Sequence, residues 1–374
     1  MRVLILSKRV YTAKDLILDR YGRVFELSMM LASQGHDVHG VAFDYRNPRL
    51  LPEAGSFSER ITDTNLAWET GRLYPWPVSG LRRYLARIAQ VAIDFRPDII
   101  LSASDVYHIL AGDWLARKYD LIHVVDLYDN YESFTAARVP GIVCLYRRAL
   151  ARAAGIVCVS QPLAQYVHEH VHSDGSMHVI GNAVDKAQFT SQHGRECRRH
   201  FGLPESQKLA GIGGAISSER GIQTVFDAHE QLLDGGNEIH LVLAGALGKG
   251  IEVPEGEFVH YLGELDYAEM PLFYGSLDVG IITNKASDFG RYCFPQKFFE
   301  MLSCGTPMVV AATGEVRELM KACKQALFRP EMAEDLSRAI LSQLEVPCMP
   351  AVEIPSWDQQ GALLSSYLEK MVCE

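Results

Sequence analysis

At 374 residues the chain is too long for one comfortable core, so two domains of under roughly 200 residues each are expected. Apolar residues make up 48% and charged residues 22%, an ordinary globular balance, and a net charge of −10 argues against nucleic acid as the main partner, which would need clustered basic surface. No run approaches the roughly 18 apolar residues needed to span a bilayer, and Arg2-Val-Leu-Ile-Leu-Ser7 enters directly as a strand, so no leader is expected.

That first run is apolar throughout, as in a central parallel strand. A helix with Val24, Leu27, Met30 and Leu31 at helical spacing follows, then a strand at Asp37–Phe43, together one strand–helix–strand unit. Residues 46–78 carry Pro48, Pro52, Gly55, Pro75 and Pro77 and read as loop with short elements. Leu81–Phe95 reads as a helix with Leu81, Leu85 and Ile88 inward and Arg82, Arg83 and Arg87 outward. Strands at Asp98–Ser102, Leu121–Asp126 and Gly155–Ser160 alternate with helices at Val106–Lys118, Ile142–Ala154 and Pro162–His170. The polar stretch 186–207 reads as a linker with a short helix. A second series then begins, with strands Lys208–Gly214, Ile239–Ala244, Phe258–Leu262, Leu277–Thr283 and Pro307–Ala312, and a last amphipathic helix at Trp357–Val372. The expected architecture is α/β, with two Rossmann-like halves of residues 1–185 and 186–355 around a cleft.

The eight cysteines form no CxxC pair and several lie inside apolar runs, so a reduced, cytoplasmic chain without structural zinc or other metal is expected. His168, His170 and His172 alternate near a helix end, which reads as a solvated helix end before a metal cluster. The arginines at 82, 83 and 87 and at 147, 148 and 152 read as solvated faces, with peripheral contact to an anionic membrane as the sharper alternative.

Three stretches carry chemistry. Ala210–Gly221 leaves a strand, passes Gly211, Gly213 and Gly214, and enters a helix beside Arg220, an arrangement suited to a phosphate. The dinucleotide fingerprint fails there, because Ile216 stands where its third glycine belongs. Lys297 and Glu300 lie three apart on a helix started by Pro295 and stopped by Gly305; the carboxylate suits a ribose diol and the ammonium a diphosphate, and the plainer reading is a surface ion pair. Asp126-Leu-Tyr-Asp-Asn-Tyr-Glu132 places three acids at a strand end, where they could orient a hydroxyl, hold a metal or cap a helix.

Four segments in order resemble the retaining, nucleotide-sugar-dependent glycosyltransferases of family 4: Gly22–Val38, Val179–Asp185, Gly214–Gly221, and Phe294-Pro-Gln-Lys-Phe-Phe-Glu-Met-Leu-Ser-Cys-Gly-Thr-Pro307. Ser356-Trp-Asp358 is similar to that family's closing element, and the resemblance covers nearly the whole chain. It implies the GT-B fold, two Rossmann-like domains facing a central cleft, with a C-terminal helix (356–374) crossing back to the first. Glu300 matches the second Glu of the family's Glu-x7-Glu motif, implied to hold the donor ribose, while Tyr292 stands where the first would fall. The Pro-Gln-Lys-Phe-Phe-Glu form is similar to a Pro-x-Lys-x-x-Glu subgroup. Arg220 falls where a diphosphate-contacting Lys is implied and Ala215 where a partner Arg is; Tyr128 replaces a common His, and Gly22 is the nearest candidate for a glycine pair after the first strand.

The resemblance implies sugar transfer from a nucleoside diphosphate donor to a hydroxyl acceptor (a glycan, a lipid-linked glycan or a small molecule), with no cofactor and no metal. On that basis the donor site takes in Gly22, Gly213, Gly214, Ala215, Arg220, Gly245, Leu265, Tyr292, Phe294, Lys297 and Glu300, and the reacting groups Arg220, Lys297, Tyr128 and Asp129. A GT-B epimerase or phosphorylase, and a non-catalytic sugar-nucleotide-binding scaffold, are the alternatives.

Overall fold

The apolar run at the start of the chain is β1 (Arg2–Lys8), and its five inner residues are buried because strands cover it on both edges. The computed structural model describes all residues except 12–13, 47–57, 62–64, 75, 172–174 and 374. After a small antiparallel pair, β2 (Val10–Tyr11) and β3 (Lys14–Asp15), the first unit adds β4 (Asp37–Asp44), β5 (Ser58–Ile61), β6 (Leu66–Arg72), β7 (Ile99–Ala103), β8 (Ile122–Leu127), β9 (Gly155–Cys158) and β10 (Ser176–Val179). The sheet order is β10-β9-β8-β7-β1-β4-β6-β5, parallel except for β5. Helices connect most of the parallel strands, while β4 reaches its parallel neighbour β6 by way of β5.

Two of these strands, β5 and β6, are the short elements within the stretch 46–78. Pro48, Pro52, Gly55 and Pro75 lie outside the described residues, and the prolines that broke the pattern flank β6 instead of interrupting it. Trp68 anchors β6 opposite Gly40 of β4; a Cβ on Gly40 would stand 2.1 Å from the indole. The following helix is Pro77–Phe95, four residues longer than expected because Pro77 serves its first turn. Leu81 is 47% exposed, and the inward positions are Tyr84, Ile88, Ala89, Val91 and Ala92.

The second unit holds β11 (Lys208–Gly213), β12 (Ile239–Ala244), β13 (Val259–Tyr261), β14 (Val279–Ile282), β15 (Met308–Ala311) and β16 (Leu327–Phe328), ordered β13-β12-β11-β14-β15-β16 and all parallel. Ile212, Val225, Leu241, Val279, Val309 and Leu336 lie in its core. Two local features stand out beyond β14. The stretch after β14 contains a short helix, Asp288–Tyr292, whose Ser287 hydroxyl accepts from the Gly290 amide. The next helix runs Lys297–Cys304, so Pro295 precedes its first turn.

Residues 1–182 with 357–374 form one unit and 183–356 the other. Helix Trp357–Cys373 returns to helix Arg23–Ser33: Met30 fills the space where Gly361 lacks a side chain, and His36 Nε2 meets the Ser365 hydroxyl at 2.6 Å. The wholly reduced chain expected from the sequence is corrected at one pair, because Cys323 and Cys348 are joined in a disulfide across Cα atoms 5.7 Å apart. The two lie 25 residues apart in sequence, so no close-spaced motif announced them.

Candidate active site

In the second unit the expected residues gather at strand C-termini. β11 ends at Gly213, and Gly214 turns with φ 97°, which favours glycine. Gly245, at the end of β12, has φ 138°, and a Cβ there would lie 1.9 Å from the Gly214 carbonyl oxygen. Two strand ends therefore touch through backbone alone. Beyond Ala215 the chain forms a turn over Ser218–Arg220, and Gly221 opens helix Ile222–Asp234, whose positive end faces this loop.

Lys297 reaches back to the loop and donates to the Gly213 carbonyl at 2.6 Å. Burial, with the nearby Arg220 charge, pulls its pKa down to about 8, against weaker support from Glu300 and Cys293. Arg220 stacks its guanidinium on the Phe289 ring at 5.3 Å. Among the described residues neither cation forms an ion pair. Two repelling cations beside glycine-lined backbone make a site for an anion.

Glu300 is 5% exposed and is not the partner in a surface ion pair with Lys297. Its Oε1 accepts from the Tyr267 hydroxyl at 2.9 Å and from Gln296 Nε2 at 3.1 Å, and its Oε2 from the Tyr274 hydroxyl at 2.8 Å. Burial raises its pKa, and the two tyrosines, Lys297 and Gln296 oppose that rise. Leu265 is half-buried beyond β13, Tyr292 closes helix Asp288–Tyr292, and Phe294 is buried with its ring stacked on Phe299 at 4.9 Å. Tyr267, Tyr274 and Gln296 went unrecognised in the sequence; only Gln296 stood inside a segment already singled out.

Gly22, Tyr128 and Asp129 belong to the first unit. Gly22 has φ 90°, caps helix Arg23–Ser33, and has open space where a Cβ would stand. Of the three acids at the end of β8 and just beyond it, Asp126 pairs with Arg23 (Nη2 to Oδ1 2.9 Å) and Glu132 with Arg147 (2.6 Å). Asp129 accepts from the Tyr11 hydroxyl at 2.7 Å, and Tyr128 packs edge-on against Tyr11 and Tyr131. Lys8, missed in the sequence because it only ended a strand, lies over the Tyr11 ring at 4.6 Å. Burial lowers its pKa, with Asp105 and Asp129 acting against that. Ser104 beside it is held at φ 88°, an outlier for a residue with a side chain, by hydrogen bonds with Ser7, Lys8 and Tyr131.

Among the described residues no histidine, cysteine and carboxylate cluster could hold a metal, and no helix is long and apolar enough to cross a membrane. His172 lies outside them. In the basic helices Arg87 pairs with Glu69, Arg147 with Glu132 and Arg152 with Asp113, while Arg82, Arg83 and Arg148 are exposed.

Comparison with known proteins agrees with this layout. Residues 23–188 match the family described as Glycosyltransferase Family 4, and residues 207–345 match Glycosyl transferases group 1. The 2-deoxystreptamine glucosyltransferase of Streptomyces kanamyceticus is 23% identical over 324 residues, 81% of this chain and 80% of that protein. The alpha-monoglucosyldiacylglycerol synthase of Streptococcus pneumoniae is 22% identical, over 70% of this chain and 62% of its own length. Among solved structures, sucrose-phosphate synthase from Thermosynechococcus elongatus superposes with a TM-score of 0.76 at 16% identity, covering 100% of this chain and 96% of that one. Anabaena HepE in complex with UDP-glucose superposes with a TM-score of 0.67 at 17% identity, covering 100% and 97%. Two parallel-sheet units, each matching its own half of the family description, show that the chain belongs to the family 4 (group 1) glycosyltransferases.

Proposed function

We propose that the chain transfers a sugar, with retention of configuration, from a nucleoside diphosphate donor held by the second unit to a hydroxyl acceptor held by the first. The observation that carries this is the pair Arg220 and Lys297, two cations without an ion-pair partner among the described residues, beside the Gly213–Gly214 backbone. Relatives and neighbours named for glucosyl transfer and for UDP-glucose binding support a hexose on uridine diphosphate as the first donor to try.

Lys297 spends one of its three N–H donors on Gly213, which leaves two for phosphate oxygens. Arg220, steadied on Phe289, adds a planar fork, and the positive end of helix Ile222–Asp234 adds its dipole. These groups would stabilise the charge that grows on the departing diphosphate, and the diphosphate itself would take the acceptor proton on the same face, so no enzymic nucleophile is required. Glu300 would hold the ribose. A carboxylate offers about four acceptor positions, and three are filled by Tyr267, Gln296 and Tyr274, so one remains, on Oε2, for a ribose hydroxyl.

Steady-state kinetics with UDP-hexoses test the assignment. Arg220→Ala is expected to lower kcat about 10²- to 10³-fold, the scale of a lost transition-state charge contact. Glu300→Ala is expected to act mainly on donor KM. An unchanged kcat/KM in Arg220→Ala would refute the diphosphate assignment.

A further inference from the structure

The first unit contains a cavity of about 470 Å³ walled by helices Pro77–Phe95 and Val106–Tyr119 and by the residues that follow β4 and β6. Its size suits enclosure of a drug-sized organic group. The walls are almost wholly apolar: Phe43, Leu85, Ala111 and Trp114 face it, and Leu81, 47% exposed, stands at its rim. Two of the lining residues, Tyr84 and His108, also carry buried polar atoms. The Tyr84 hydroxyl and His108 Nε2 are buried and have no hydrogen-bond partner among the described residues, although Tyr84 is 3% and His108 1% exposed. An orphaned donor or acceptor at such burial is costly unless a ligand completes it.

The cavity also connects to the strand ends. Tyr45, in its wall, donates to Asp105 Oδ2 at 3.0 Å, and His108 Nδ1 meets Asp105 Oδ1 at 2.8 Å. Asp105 in turn bears on the Lys8 ammonium, beside Asp129. One carboxylate therefore ties the apolar cavity to the polar cluster of the same unit. Asp105 holds the Nδ1 side of the His108 ring, and His108 is itself one of the lining residues.

We propose that this cavity seats the apolar body of the acceptor, which is an amphiphilic alcohol whose hydrocarbon part lies between the two helices and whose polar group bonds Tyr84 and His108. The assignment rests on the glycosyltransferase reading above. A charged or purely polyhydroxylated acceptor would leave the apolar walls unfilled.

The test uses the full chain and straight-chain 1-alkanols from butanol to decanol, followed by tryptophan fluorescence, since Trp114 lines the cavity, and as acceptors or competitors in UDP-hexose transfer. Affinity is expected to rise about three- to fourfold per added methylene until the cavity is full. Leu81→Glu, at an exposed position that should leave the melting temperature in place, is expected to flatten this series. Tyr84→Phe is expected to weaken binding about 3- to 10-fold with the chain-length slope kept, because it removes only the hydroxyl. A flat series in the wild type, or an unchanged slope in Leu81→Glu, overturns the proposal. Alkanols that bind with the expected slope but neither accept sugar nor slow transfer to another acceptor overturn the acceptor assignment and leave the glycosyltransferase reading standing. Failure of the wild type to bind any of UDP, GDP, ADP, CDP and dTDP overturns that reading, whatever the alkanols do, and the acceptor assignment falls with it.

Discussion

Lys297 is a cation kept in place by a carbonyl while its surroundings favour its neutral form. Its pKa, lowered from 10.5 to about 8, sets the sign of two pH effects. Diphosphate binding needs the ammonium, so UDP affinity should be full below pH 8 and decline as the pH rises through 8. In Lys297→Met that decline should vanish, with affinity about 10- to 100-fold lower at pH 7 by isothermal titration, the range of one charged hydrogen bond. Stability runs the other way. Between about pH 8 and 10.5 the unfolded chain binds more protons at this residue than the folded one, so this group's contribution to stability rises with pH across that window. The spacing of Lys297 and Glu300 was visible in the sequence, but the carboxylate's real partners were not. Tyr267 and Tyr274 lie 33 and 26 residues upstream, and only the fold of the intervening strands brings their hydroxyls to Glu300.

At the scale of elements, the strand-end loops are built to tolerances smaller than a methyl group. Gly245→Ala would drive a Cβ into the Gly214 carbonyl and would also strain the backbone at φ 138°. We expect it to cost roughly 1–3 kcal/mol in urea unfolding and to displace the phosphate loop, so that UDP no longer raises the melting temperature. In the first unit, Arg23→Ala would strand Asp126 in the interior and should cost roughly 3–5 kcal/mol, whereas the double change Arg23→Met with Asp126→Leu should recover most of it. The parallel strands were legible because burial on both faces makes them continuously apolar. β6 was not, since a buried Glu69 and a half-buried Thr70 and Gly71 interrupt its apolar residues, and its hydrophobic anchor is one tryptophan opposite a glycine of β4. Asp288–Tyr292 was missed because a five-residue helix has no period to detect; only Ser287, three residues before Gly290, marked its start.

For the molecule as a whole, the alternation of strand and helix made the two sheets readable, because parallel neighbours need a long crossover and a helix usually supplies it. The disulfide was not readable, since both cysteines lie in otherwise apolar or irregular sequence. Cys348→Ser should lower the stability of the second unit by roughly 3 kcal/mol, the loop-closure value for about 25 residues, as a drop in melting temperature that reductant reproduces in the wild type. The first unit is discontinuous: it spans residues 1–182 and is completed by helix Trp357–Cys373 against helix Arg23–Ser33. During synthesis, all of residues 183–356 are therefore made before the segment that covers Met30 and His36 exists. The second unit has its entire chain available before the first unit does, and the amino-terminal half must wait, with one apolar helix face uncovered, until residues 357–373 follow.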